Sequence, residues 1–405
     1  MNKRKYRLFV ICCLVLDLLV MLISGYRYLD RKIPDEIQIS RGKKTEDVTE
    51  VLSTPFVTFE EAVTVSQDGG YILPCKLLGY IPFKEIKVTP ADDQEIYVSG
   101  STIGIYMQTE GVLVIDTGEI QNRNGETEEP ARNIIRQGDY IISFNGEKIS
   151  TKRELIDDIS ELDGSEVTLG ISRKGESIPV SVTPVKDKKG DYKLGIWVRD
   201  DTQGIGTLTY VDQNGNYGAL GHGISDIDTA QLLNIRNGAL YKARILAINK
   251  GSKGNPGELA GYICYDDRNI LGTIEANSRN GIYGQLTGIA DDAITLKKMP
   301  AAYKQEVKIG TATILCSTDG EVKEYDAEIR KIDLNHEDTN KSFVIKVTDK
   351  ELLEATGGIV QGLSGSPVIQ NGKIIGAVTH VFVQDASSGY GIFIENMLKN
   401  TERLF

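Results

Sequence analysis

Along most of this chain the apolar residues come in short runs that glycine and polar turn residues interrupt. That spacing predicts β-strands joined by tight turns, because a half-buried strand switches faces at every residue whereas a helix needs a longer amphipathic window. Residues 111–115 and 342–347 read as strands, and the alternation over 377–383 predicts another that carries His380. Residues 135–146 predict a turn, a strand and a hairpin at Asn145-Gly146. Ser150 and Thr151 precede Glu154 and the apolar residues Leu155, Ile156 and Ile159, the signature of a capped amphipathic helix. Residues 167–173 return to strand and end at Lys174-Gly175.

The pattern breaks at the N-terminus. Residues 8–23 are apolar apart from Asp17, and Lys3, Arg4, Lys5 and Arg7 precede them. Positive charge ahead of an apolar stretch holds the N-terminus in the cytoplasm and sends the rest of the chain outside. A retained anchor is expected: no Ala-x-Ala cleavage site follows, although Ser24-Gly25 is small enough to be cut. Aspartate is costly at mid-depth, so Asp17 either finds a partner or leaves the segment marginally inserted. Residues 30–49, charged and proline-containing, suit a linker outside the membrane.

Composition narrows the function classes. A net charge of −11 argues against a nucleic-acid partner. There is no glycine-rich phosphate loop and no Cys-x-x-Cys pair, and the three histidines lie too far apart for zinc-ligand spacing, so neither cofactor nor metal is expected. Of five cysteines, Cys12 and Cys13 fall in the apolar segment; Cys75, Cys264 and Cys316 are expected as buried small side chains rather than a disulfide framework.

The candidate chemistry centres on Gly362-Leu363-Ser364-Gly365-Ser366-Pro367. A serine flanked by glycines on a sharp turn projects its hydroxyl, and the Gly362 and Ser364 amides are left to face a developing oxyanion. The same hexapeptide also suits an ordinary turn. A base must come from His222, His336 or His380. His222 is the best placed, between small residues at Gly221 and Gly223; His336 sits in a polar turn, and His380 reads as a satisfied strand residue. For the acid that orients the imidazole, Asp226, Asp228, Asp266, Asp267 and Asp349 are all open, with Asp349 equally a helix N-cap.

The hexapeptide resembles the G-x-S-G-x-P turn of trypsin-like serine peptidases. Together, residues 218–223, 357–367 and 376–381 resemble the stage IV sporulation protein B peptidase family of endospore-forming bacteria, over nearly the whole chain. The resemblance implies a serine peptidase whose catalytic residues are His222, Asp349 and Ser364, and it alone selects Asp349. Leu363 stands where the wider pattern has aspartate and Ser366 where it has glycine, so activation by a newly cut N-terminal amine has no partner.

Residues 96–199 resemble a PDZ domain of the circularly permuted kind, which implies that Ile103, Gly104 and Ile105 form a carboxylate-binding loop beside a sheet edge open to a peptide or a segment of the same chain. The expected architecture is mainly β, with an anchor or signal segment (1–29), a linker and small β region (30–95), a PDZ domain (96–200) and a trypsin-like double β-barrel (201–405). By the same resemblance the peptidase acts in the space between the two spore membranes. There it cuts itself and a regulator of an intramembrane protease that matures a mother-cell sigma factor. The alternatives are a catalytically silent PDZ scaffold and a serine hydrolase that is not a peptidase.

Overall fold

In the computed structural model, which describes residues 3–42, 45–64, 69–287, 294–336 and 338–405, two sixteen-residue strands organise the body of the protein. Thr102–Thr117 and Ile196–Val211 pair antiparallel from Thr102 opposite Thr207 to Thr117 opposite Ile196. Their register slips between Arg199 and Asp201, where the Thr109 hydroxyl donates to the carbonyls of Gly111 and Asp200. The bulge twists the ladder, and each side of it serves a different core. Before it, Ile103, Ile105 and Met107 pack with Leu208, Leu220 and Leu240. Beyond it, Val112 and Val114 pack with Ile141, Leu155 and Leu169.

The second core is the PDZ part. Strands Tyr140–Phe144, Val167–Arg173 and Glu176–Val182 are joined antiparallel, and the Asn145-Gly146 turn sets Phe144 opposite Glu147. Thr151 caps helix Lys152–Ser160: its hydroxyl accepts from the Glu154 amide while the Glu154 carboxylate accepts from the Thr151 amide, the reciprocal bonding expected from the sequence.

The structure corrects one expectation here. Ile103, Gly104 and Ile105 are not in a loop; they lie near the start of strand Thr102–Thr117, between Ile205 and its neighbours on one side and residues 240–242 on the other. Both edges of this stretch are occupied and Ile103 and Ile105 are fully buried, so no amide is left for a carboxylate and no edge for an added strand. A Thr-Ile-Gly-Ile run suits a loop or an interior strand equally, and only the long-range partners decide. For the same reason the expected boundary at residue 201 falls inside a continuous strand.

The remaining strands complete a two-part body. Ile196–Val211 continues through Asn216–Ala219 and Gly281–Gln285 to Ala276–Ser278, and Ile235–Asn249 closes the other side of Thr102–Thr117. Six strands, Gly310–Ser317, Val322–Ile332, Phe343–Val347, Pro367–Gln370, Lys373–Phe382 and Asp385–Phe393, form a closed barrel. Its core includes Ile314, Cys316, Phe343, Ile345, Val368 and Val378. Helix Ile394–Leu404 returns to the first part, where the buried Tyr210 and Thr401 hydroxyls lie 2.6 Å apart.

Helix Lys3–Lys32, about 45 Å long at the usual helical rise, is exposed through its apolar stretch and is long and apolar enough to cross a bilayer. It leads into a small five-stranded sheet packed around Ile37, Leu73, Ile86 and Val88. All five cysteines are free; Cys75 and Cys316 are buried and Cys264 half-buried.

Candidate active site

Three hydrogen bonds tie the serine turn to strand Ile196–Val211. Gly362 and Gly365 take φ of +99° and +94°, a conformation that favours glycine. The Gly362 carbonyl accepts from the Thr207 hydroxyl at 2.8 Å, the Ser364 carbonyl from the Thr207 amide at 3.1 Å, and the Gly365 carbonyl from the Thr209 hydroxyl at 2.7 Å. A Cβ at Gly365 would run into the Thr207 carbonyl and the Leu220 amide. Leu363, in the place of the usual aspartate, is buried in the barrel core.

Within this turn the amides divide in a telling way. Leu363 donates to the Val360 carbonyl, Gly365 to Val378 and Ser366 to Leu363, whereas the amides of Gly362 and Ser364 make no hydrogen bond among the described residues. Ser364 is half-buried, with its hydroxyl donating to the Thr379 carbonyl at 2.8 Å. Ser366 is fully buried and its hydroxyl oxygen has no partner.

His222 reaches the same neighbourhood from the large sheet that holds strand Ile196–Val211. Strand Asn216–Ala219 ends at Leu220, whose amide donates to the Thr207 carbonyl at 3.3 Å, and the α-carbon of Gly221 faces the Thr379 methyl group. Thr207 therefore touches both the serine turn and the chain leading to His222. The Nδ1–H of His222 donates to the Gly223 carbonyl at 2.9 Å, which leaves Nε2 as the basic nitrogen. Burial holds the His222 imidazole below the ordinary histidine range, with the Gly223 bond opposing the shift.

Beside it the structure places a residue that strand alternation had set aside. The His380 ring lies 4.9 Å from the His222 ring, and both line a cavity with Ser225, Arg279, Asp338 and Asn340. Burial first, then the His222 and Lys341 charges, push His380 down to about 4 against the pull of Asp338. Its Nδ1 is buried without a hydrogen-bond partner. The adjacent Thr379, whose carbonyl holds Ser364, was the signal available in the sequence; its partner across the fold was not. His336 lies in a polar turn, where Nδ1 accepts from the Asp338 amide.

The candidate acids are engaged elsewhere. Asp226 and Asp228 pair with Arg199, and Asp226 also accepts from the Thr229 amide. Asp266 pairs with Arg268 and caps the short 3-10 turn that contains Asp267. Asp349 caps helix Lys350–Thr356, accepting from the Leu352 amide at 3.0 Å, with the Asp326 amide at 3.4 Å from its other oxygen. Strand Phe343–Val347, roughly 13 Å long at the usual rise, separates Asn340, which borders the His222 cavity, from Asp349 along the chain. The structure thus brings the Ser364 hydroxyl to Thr379, the neighbour of His380, and the His380 ring to His222, and it shows Asp349 as a helix cap, the role that the sequence also allowed.

Comparison with known proteins adds identity to this geometry. Residues 190–398 match the family of SpoIVB peptidase S55, and residues 101–183 match the PDZ domain family. A segment of 78 residues is 38% identical to the Lactococcus lactis protein LL2128, named as a zinc metalloprotease; it covers 18% of this chain and 18% of that protein. The PDZ domain of the SdrC-like protein Lmo2051 from Listeria monocytogenes aligns over 22% of this chain and 87% of its own, with 23% identity and a TM-score of 0.19. The Rv3671c protease in its inactive form aligns over 49% of this chain and 83% of its own, with 14% identity and a TM-score of 0.27.

Proposed function

Because the chain belongs to the SpoIVB peptidase S55 family and is a serine peptidase, we propose that Ser364 is its nucleophile and His222 its general base. The amides of Gly362 and Ser364 serve as the oxyanion donors. The observation that carries this reading is the pair of unbonded amides around Leu363, held by Thr207 next to the segment that bears His222.

In the proposed mechanism the Ser364 hydroxyl turns from the Thr379 carbonyl toward Nε2 of His222, which takes its proton as the oxygen attacks the peptide carbonyl carbon. The carbonyl π electrons move onto oxygen, where the two amides receive the negative charge. The His222 imidazolium gives its proton to the departing amine, and water attacking the acyl-enzyme by the reverse sequence restores Ser364. The Gly223 carbonyl fixes the tautomer, the orienting task a carboxylate performs in a triad.

Family membership supports a protein substrate and a place in sporulation signalling, by self-cleavage and by cutting a regulator of an intramembrane protease. Helix Lys3–Lys32 supports tethering, with the body outside the cytoplasmic membrane. A serine-directed phosphonate, followed by mapping of the modified peptide, tests the site. The adduct is expected on Ser364 and turnover is expected to vanish in Ser364→Ala; an adduct on Ser366, or full activity in Ser364→Ala, overturns the assignment.

A further inference from the structure

The small N-terminal sheet ends in a hairpin whose tip is apolar and exposed among the described residues. Strands Tyr71–Leu77 and Ile81–Ala91 pair through Leu77 opposite Ile81, and Leu78, Tyr80 and Ile81 are 63%, 87% and 57% exposed. Phe56, 55% exposed, joins them, since its carbonyl accepts from the Leu78 amide at 2.8 Å. Leu78 holds a left-handed backbone (φ +53°) that leucine rarely adopts, so the turn keeps a large apolar side chain where asparagine or glycine would be less strained. A soluble surface has no use for such a tip.

The direction in which the tip points is set by two contacts with the apolar helix. Lys84 binds the Asp30 carboxylate at 2.7 Å and the Ile33 carbonyl at 2.9 Å, and one residue nearer the tip the Phe83 ring meets Tyr26 edge-on at 5.4 Å. Moving along the strand toward the tip is therefore moving along the helix toward its N-terminus. From Phe83 to Ile81 the strand climbs about 7 Å, which on a helix is about four or five residues beyond Tyr26, and the turn with Tyr80 lies further still. That level is the last part of the apolar stretch 8–23. Tyr26 and Tyr28, both exposed, stand just outside it in the position of an interfacial aromatic belt.

We infer that the hairpin tip formed by Phe56, Leu78, Tyr80 and Ile81 is a second membrane contact, seated in the outer headgroup and acyl boundary of the bilayer that the helix crosses. The inference rests on the reading of helix Lys3–Lys32 as an anchor. Its consequence is geometric: one helix leaves a domain free to tilt and swivel, whereas a helix and a hairpin side by side fix the orientation of the sheet on the lipid surface.

The test uses the full chain in phosphatidylcholine and phosphatidylglycerol vesicles containing brominated lipid. Trp197→Phe removes the single tryptophan, and Tyr80→Trp or Leu16→Trp then reports the tip or the helix. Tryptophan at position 80 is expected to lose roughly half or more of its emission to brominated lipid, as at position 16, and to be shielded from aqueous iodide. Quenching at 16 but not at 80 overturns the hairpin contact alone; no quenching at either overturns the anchor reading with it. In the same vesicles Tyr80→Trp combined with Ile81→Glu should restore iodide access, and no change on adding the charge also counts against the contact.

Discussion

At the scale of single residues, the site depends on two imidazoles that burial keeps neutral. His222 is held below the ordinary histidine value of about 6.5, and His380 is pushed to about 4. Only the neutral His222 ring accepts the serine proton, so kcat/KM should rise with pH along a limb whose midpoint lies below 6.5 and stay level through neutrality. A midpoint above 6.5 would contradict a buried base. The same groups link stability to pH. With folded values below unfolded ones, the unfolded chain binds more protons in the interval between them, so stability is complete above about 6.5 and falls as pH drops toward 4. Thermal unfolding at a series of pH values measures it, and His380→Phe should flatten the slope in that window.

At the scale of elements, helix Lys350–Thr356 separates two roles for one carboxylate. Asp349 accepts from Leu352 at the first turn, and asparagine caps a helix as well as aspartate does. Asp349→Asn is therefore expected to leave both melting temperature and phosphonate labelling of Ser364 close to the parent. Asp349→Ala should cost about 1 kcal/mol of stability with labelling unchanged. A loss of several orders of magnitude in labelling for Asp349→Asn would show that the carboxylate reaches His222 in the working state. The serine turn is the opposite case, an element with little regular structure whose geometry comes from Thr207 and Thr209 on another strand.

At the scale of the whole molecule, the PDZ part is an outgrowth of the peptidase rather than a bead beside it. Its core lies beyond the bulge, but strands Thr102–Thr117 and Ile196–Val211 also build the first part of the peptidase body, where Ile103, Ile105 and Leu208 pack. The Gly118 amide donates to the Gly195 carbonyl at 2.8 Å, so the chain can be closed at that point. Replacing residues 119–194 by a tight turn should give a soluble, less stable protein that still reacts at Ser364. Deleting residues 101–183 removes the strand Thr102–Thr117 and should give no folded peptidase. Comparable solubility and labelling for the two deletions would refute the shared-strand architecture.

Local chemistry determined much of this protein. The capping box at Thr151, the Asn145-Gly146 turn, the apolar N-terminal helix and the glycine-flanked Ser364 all follow from neighbouring residues, because caps, tight turns and apolar runs are decided within a few positions of the chain. What depended on partners far away in sequence was decided only by the tertiary structure. Ile103, Gly104 and Ile105 carry nothing that distinguishes a ligand loop from a buried strand until residues 204–206 and 240–242 pair with them. His380 looks like any strand residue until the closed barrel sets its ring against His222. Asp349 is open to two roles in the sequence, and the cap it makes at Leu352 appears only with helix Lys350–Thr356 in place. A catalytic constellation is a set of distances between chain segments, and distances of that kind are fixed by packing and sheet register rather than by the order of residues.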